Sequence, residues 1–225
     1  PHTPVEWVTG LYRGLLEVAA AHGVGIVGGD VHAAPQVGVT VALWGTVEAE
    51  APLTRSAARA GDRIAVTGTL GASAGGLRLL KEGRPVPDFL RQAHLRPRPQ
   101  VEAGQHLLRC GVRTAIDISD GLLADLGHLC RASGVGARVM AEQVPLDPHL
   151  RDAFGAEALG LALSGGEDYQ LLFTAPDGVI NRVRQGLSFT DIGEVTSQQG
   201  RTEVVDAGGH PLAYKEKGWQ HFGPR

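Results

Sequence analysis

TAIDISDGLLADLGHL, Thr114 to Leu129, is the stretch on which the reading of the fold turns. Ala115, Ile116 and Ile118 read as a buried strand, and Leu122, Leu123, Leu126 and Leu129 recur at helical spacing. Strand, short loop and helix therefore follow one another, with Asp117 and Asp120 in the junction. Desolvated anions cost several kcal/mol each unless something positive balances them. No Lys or Arg lies between Arg113 and Arg131. The balancing charge must come from a distant segment, for which Arg55 is a candidate, or from a bound cation.

Upstream, Thr3-Pro4-Val5-Glu6 reads as a capping box, with Val8, Leu11, Leu15 and Val18 as the apolar stripe of a helix that Gly23 ends. Val24 to Val27 reads as a buried strand, and the alternation from Val37 to Val47 as a long strand with one buried face. The Ala-, Glu- and Arg-rich segment from Glu48 to Asp62 reads as a linker, which places a domain boundary at residues 50/51. Beyond it, strands are expected near Arg63 to Thr67, Val135 to Val139, Tyr169 to Thr174, Thr190 to Val195, Thr202 to Val205 and Pro211 to Tyr214. Helices are expected up to Leu80, from Arg96-Pro97-Arg98-Pro99 to Gly111, and near Arg151 to Ala158. Strands and helices mix without strict alternation, which predicts an α+β sandwich on a largely antiparallel or mixed sheet.

Composition narrows the function classes. Of 225 residues, 43% are hydrophobic and 20% charged, an ordinary balance for a chain with a proper core. The net charge of −3 and 5% aromatic content argue against a nucleic-acid surface, which needs a basic face. No apolar run approaches a membrane span, and no signal peptide precedes the first helix. Cys110 and Cys130 stand singly and read as reduced, buried thiols of a cytoplasmic protein. A start at Pro1 and a single methionine at Met140 suggest the C-terminal portion of a longer protein.

Several motifs are set aside. Gly23-x-Gly25-x-x-Gly28 spells a dinucleotide fingerprint, but it follows a helix and spans a strand, the wrong context. No GxxxxGK[ST] loop, HExxH set or G-x-S-x-G elbow occurs. What remains is a set of glycine-plus-acid loops at strand ends: Gly28-Gly29-Asp30, Asp117 to Gly121, and Gly165-Gly166-Glu167-Asp168. Taken singly, each is a cap or turn; Ser119 or Asp120 would cap the following helix. Taken together, they supply the carboxylate oxygens that Mg²⁺ prefers, beside backbone that a phosphate can approach. That combination points to nucleotide use and phosphoryl transfer.

Ala115 to Leu122 with Asp125-Leu126-Gly127-His128, Ala162 to Tyr169, Leu53-Thr54-Arg55-Ser56 and Gly218 to Phe222 closely resemble thiamine-monophosphate kinase. That family lies in the aminoimidazole-ribonucleotide-synthetase-like superfamily of ATP-using enzymes, and the resemblance runs from about Tyr12 to His221. It implies an N-terminal α/β domain that pairs in a homodimer, here a remnant over residues 1–50, and a C-terminal AIR-synthase-like α/β sandwich over 51–225. It implies ATP- and Mg²⁺-dependent phosphorylation of thiamine monophosphate to thiamine diphosphate. The family's metal-binding acids fall on Asp30, Asp117 and Asp120, the latter two also catalytic. Its ATP contacts fall on Tyr12, Gly29, Arg55 and Ser119, and its thiamine contacts on Glu167 and Trp219. The chain departs from the family at Val31-His32-Ala33-Ala34-Pro35, where Thr-Thr-Arg-Gly-Pro is usual, and it lacks the family's N-terminal Gly-Asp-Asp segment. The rival readings are a selenophosphate-synthetase-like relative and a non-catalytic nucleotide-binding fragment.

Overall fold

The computed structural model describes residues 3–47, 52–214 and 218. The chain divides into two compact units, Pro1–Val47 and Glu48–Arg225.

Among its described residues, the first unit holds one helix, α1 (Val5–Ala21). Pro4 takes the N-cap position and no side chain caps the helix, so the capping box expected at Thr3 does not form. At the other end, the Val24 and Gly23 amides donate to the Ala19 and Ala20 carbonyls, closing the helix at Gly23 as its sequence indicates. The strands expected at Val24–Val27 and Val37–Val47 are not strands among the described residues. Their apolar side chains are exposed instead, up to 89% at Val27 and 82% at Trp44. An alternating pattern marks a face that demands cover. A strand also demands a hydrogen-bonding neighbour, and these segments meet none among the described residues.

Among its described residues, the second unit is built on seven strands: β1 (Arg63–Val66), β2 (Thr114–Asp117), β3 (Gly136–Met140), β4 (Leu171–Ala175), β5 (Thr190–Thr196), β6 (Thr202–Val205) and β7 (Pro211–Leu212). They form one mixed sheet in the order β2-β4-β1-β5-β3-β6-β7, antiparallel except for the β3–β6 pair. Period-two alternation sends Ile64, Val66, Ile116 and Leu172 to one face and Ala65, Ala115 and Phe173 to the other.

Helices cover both faces, which makes the unit a sandwich. The first face packs on α5 (Leu122–Ser133) and α7 (Ala158–Ser164), where Leu122, Leu126, Leu129 and Leu163 are fully buried. The second packs on α4 (Val101–Arg109) and α8 (Asp177–Val183) through Leu107, Ile180 and Val183. A third cluster joins α2 (Ala72–Lys81), α3 (Asp88–Leu95) and α6 (Pro148–Phe154) through Leu79, Leu90 and Leu150. The single helix expected at Arg151–Ala158 is in fact α6 and α7, separated by a 3-10 turn over Gly155–Glu157. Helices α3 and α8 carry weak sequence signals and were not expected.

Register explains where the loops gather. Asp117, the last residue of β2, pairs with Leu171, the first of β4, and Val66 at the end of β1 pairs with Leu172. The segments after β1, after β2 and before β4 therefore leave the sheet at the same end. Cys110 and Cys130 are free thiols, and burial pushes the Cys130 thiol up.

Candidate active site

The junction between β2 and α5 is organised from inside the helix. Asp125 is 2% exposed, and its Oδ2 accepts the amides of Ser119, Asp120 and Gly121 at 3.0, 3.0 and 3.1 Å. Burial pushes the Asp125 carboxyl up, against these three amides, which hold it down. Gly121 is the N-cap residue, so neither Ser119 nor Asp120 caps the helix. The capping alternative for this pair of carboxylates is removed.

The segment before β4 docks onto this loop. The Glu167 amide donates to the Ser119 carbonyl, the Tyr169 amide to that of Ile118, and the Ile118 amide to that of Gln170. Contact is close on both sides. A Cβ on Gly166 would stand 2.4 Å from the Ser119 carbonyl oxygen, and one on Gly121 would stand 2.8 Å from that of Ser164. Glu167 and Tyr169 hold φ of 68° and 50°, a left-handed conformation costly for residues with side chains.

Asp168, between them, anchors the turn. Its carboxylate accepts the Gly71 amide at 2.6 Å and the Ser73 amide at 3.2 Å, at the start of α2. Burial pushes its carboxyl from 3.8 to about 7, against those two amides. The folded state thus keeps a proton that the unfolded chain sheds, and stability falls as pH rises from about 4 to about 7. Asp168→Asn is expected to abolish that fall, as read by denaturant unfolding at the two ends of the window.

Tyr169 lies in the field of the loop's acids. Burial first, then the negative charges of Glu167, Asp117 and Asp120, push the Tyr169 hydroxyl up. Asp117 is exposed and has no ion-pair partner among the described residues. Asp120, Asp125 and His128 also bring one ligand atom each within 4.8 Å of one another, with His128 Nε2 4.0 Å from Asp120 Oδ2. Hard divalent cations take oxygen donors, so Asp117 and Asp120 fit Mg²⁺ in donor chemistry.

The remaining expected residues are placed as follows. Ser119 and Asp120 are partly buried in the loop, and Glu167 is exposed beside it. Within the first unit, Tyr12 and Gly29 are neighbours: a Cβ at Gly29 would lie 3.8 Å from the Tyr12 hydroxyl. Asp30 is exposed, and its Oδ1 accepts the Val31 amide at 2.8 Å. The Arg55 side chain is exposed, and its carbonyl accepts from Ser133 Oγ, at the last residue of α5. Asp120 lies before the opposite end of that helix, roughly 18 Å away at 1.5 Å rise per residue. Arg55 therefore does not neutralise Asp120. Trp219 lies outside the described residues. Gly218 sits against the same loop, where an added Cβ would be 2.6 Å from the Asp120 carbonyl oxygen. Tyr169 and Asp125 are the site residues that the sequence reading passed over as strand and helix.

Residues 59–206 match the family model for the C-terminal domain of AIR synthase related proteins. The chain is 38% identical to the thiamine-monophosphate kinase of Salmonella typhimurium over 99% of its own length and 71% of that protein. The chain belongs to the thiamine-monophosphate kinase family. It is also 36% identical to the Aquifex aeolicus thiamine-monophosphate kinase, over 97% of this chain and 70% of that protein. Among solved structures, it resembles AaThiL complexed with AMPPCP and TMP, with a TM-score of 0.79 and 32% identity over 98% of this chain and 70% of that one. The Escherichia coli hydrogenase maturation protein HypE shares the fold, with a TM-score of 0.74 at 22% identity.

Proposed function

We propose that this chain phosphorylates thiamine monophosphate to thiamine diphosphate at the expense of ATP. The observation that carries the reading is its 38% identity to thiamine-monophosphate kinases across nearly the whole chain. A solved relative complexed with AMPPCP and TMP supports ATP as the co-substrate. In the reaction, a terminal phosphate oxygen of thiamine monophosphate forms a bond to the γ-phosphorus of ATP. The bond from that phosphorus to the β-phosphate bridging oxygen breaks, and ADP leaves.

The residue roles are those that the family resemblance implies for these positions. Asp117 and Asp120 would hold Mg²⁺ and are the catalytic acids, and Asp30 of the first unit is a further metal-binding acid. A bound Mg²⁺ would supply neutralisation of phosphate charge and orientation of the transferring group. Tyr12, Gly29, Arg55 and Ser119 contact ATP. Glu167 offsets the positive thiazolium and Trp219 covers its face, the arrangement that suits a cationic ring. The exposed apolar residues of the first unit suit a dimerisation domain over residues 1–50, pairing in a homodimer. No described helix is long and apolar enough to cross a membrane. The likeness to biosynthetic kinases supports a cytoplasmic location.

The test is a coupled assay of ADP release by the intact protein with ATP, Mg²⁺ and thiamine monophosphate. Turnover that depends on thiamine monophosphate is expected. ATP hydrolysis indifferent to it would overturn the substrate assignment.

A further inference from the structure

Three consecutive amides, those of Ser119, Asp120 and Gly121, point at one oxygen of Asp125. Successive N–H groups at the start of a helix form a concavity suited to a phosphate oxygen. In this chain the concavity is filled from within, by a carboxylate that is itself 2% exposed. Charged acceptors make short, strong bonds to amides, so this internal partner competes well against any external anion. The loop's donors face inward as a result, while Asp117 at its start is exposed and Asp120 stays partly so. A turn that would otherwise attract anions presents carboxylates instead.

We propose that Asp125 is a positioning residue that closes this amide nest to phosphate and sets the β2–α5 loop to hold a cation through Asp117 and Asp120. The proposal rests on the reading of those two residues as Mg²⁺ ligands. It assigns Asp125 a role distinct from theirs: it acts through the backbone they sit on. It also explains why a buried acid stands one helical turn inside α5, where no substrate contact is needed.

Two substitutions separate the acceptor from the charge. Asp125→Asn keeps an oxygen for the three amides and removes the charge, whereas Asp125→Ser withdraws the acceptor and opens the nest. The intact, metal-free protein is titrated calorimetrically with Mg²⁺, and inorganic phosphate is followed by its phosphorus line width, alongside a thermal melt. For Asp125→Ser, Mg²⁺ affinity is expected to fall roughly 10- to 100-fold, as when a partner behind a metal ligand is lost. The same variant is expected to acquire phosphate binding that the parent lacks, which a merely structural role would not produce. For Asp125→Asn, Mg²⁺ affinity within about threefold of the parent and no phosphate binding are expected. An Asp125→Ser protein that melts cooperatively, binds Mg²⁺ like the parent and ignores phosphate overturns the proposal. So does a tenfold or greater Mg²⁺ loss in Asp125→Asn, which would make Asp125 a direct ligand beside Asp120 and His128. If Asp125→Ser does not fold, the Asp125→Asn affinity alone decides between these outcomes. Failure of the parent to bind Mg²⁺ would sink the metal reading, and phosphate capture by Asp125→Ser would still judge the nest.

Discussion

Asp117→Asn and Asp120→Asn each lower Mg²⁺-dependent turnover by roughly two to three orders of magnitude, the loss of several kcal/mol of charge stabilisation. The metal-free Asp117→Asn protein, in contrast, melts no lower than the parent. The reason lies in what these carboxylates do not do. Neither caps α5: Gly121 is its N-cap residue, and Asp125 accepts the amides of the loop before it. Asp117 is exposed and has no ion-pair partner among the described residues, so there is no salt bridge to lose. Asp117 and Asp120 lie three positions apart in one loop, and removing one charge there relieves repulsion. Turnover against Mg²⁺ concentration and the apo melting temperature are the measurements. Near-normal activity at ordinary Mg²⁺ in both variants would end the metal assignment.

Gly166→Ala lowers stability by about 3 kcal/mol, combining overpacking with the loss of loop hydrogen bonds. For a unit of this size that is roughly 6–12 °C in melting temperature. A Cβ at Gly166 would sit 2.4 Å from a backbone carbonyl, that of Ser119, with no flexible side chain to yield. The two loops must part, and the bonds from Glu167 to Ser119 and from Tyr169 to Ile118 go with them. Glu167 then leaves its place, so KM for thiamine monophosphate should rise more than KM for ATP. Gly160→Ala is the control: nothing lies within 4 Å of its Cβ position in α7, and Ala favours a helix by about 0.5–1 kcal/mol. A Gly166→Ala protein as stable as the parent, with unchanged kinetics, would show that the loops do not need this contact.

The glycine-plus-acid loops were legible as a set because each joins a chemically unusual residue type to a strong strand or helix signal. Their meeting was not. Asp117 and Glu167 are separated by 50 positions in sequence, and only the pairing of β2 with β4 puts their loops side by side. Asp125 was hidden by its own surroundings. Inside a run with Leu122, Leu126 and Leu129 it reads as one polar position of an amphipathic helix, yet it is buried by bonds to backbone that has no sequence signature. Tyr169 was absorbed into a strand that begins only at Leu171.

The sequence by itself determined the class of this protein: an α+β sandwich, its second-unit strands, and acidic loops of a phosphoryl-transfer enzyme. Those features depend on local patterns, period two for strands, helical spacing for α5, and residue types whose chemistry does not change with context. Tertiary structure alone decided that Val24–Val27 and Val37–Val47 are not strands among the described residues, since pairing is a property of neighbours and not of the segment. It also decided that the acids of the β2–α5 loop serve neither as caps nor as partners of Arg55. Hydrogen bonds across distant segments choose which way a backbone turns, and that choice set the carboxylates outward and the amides in.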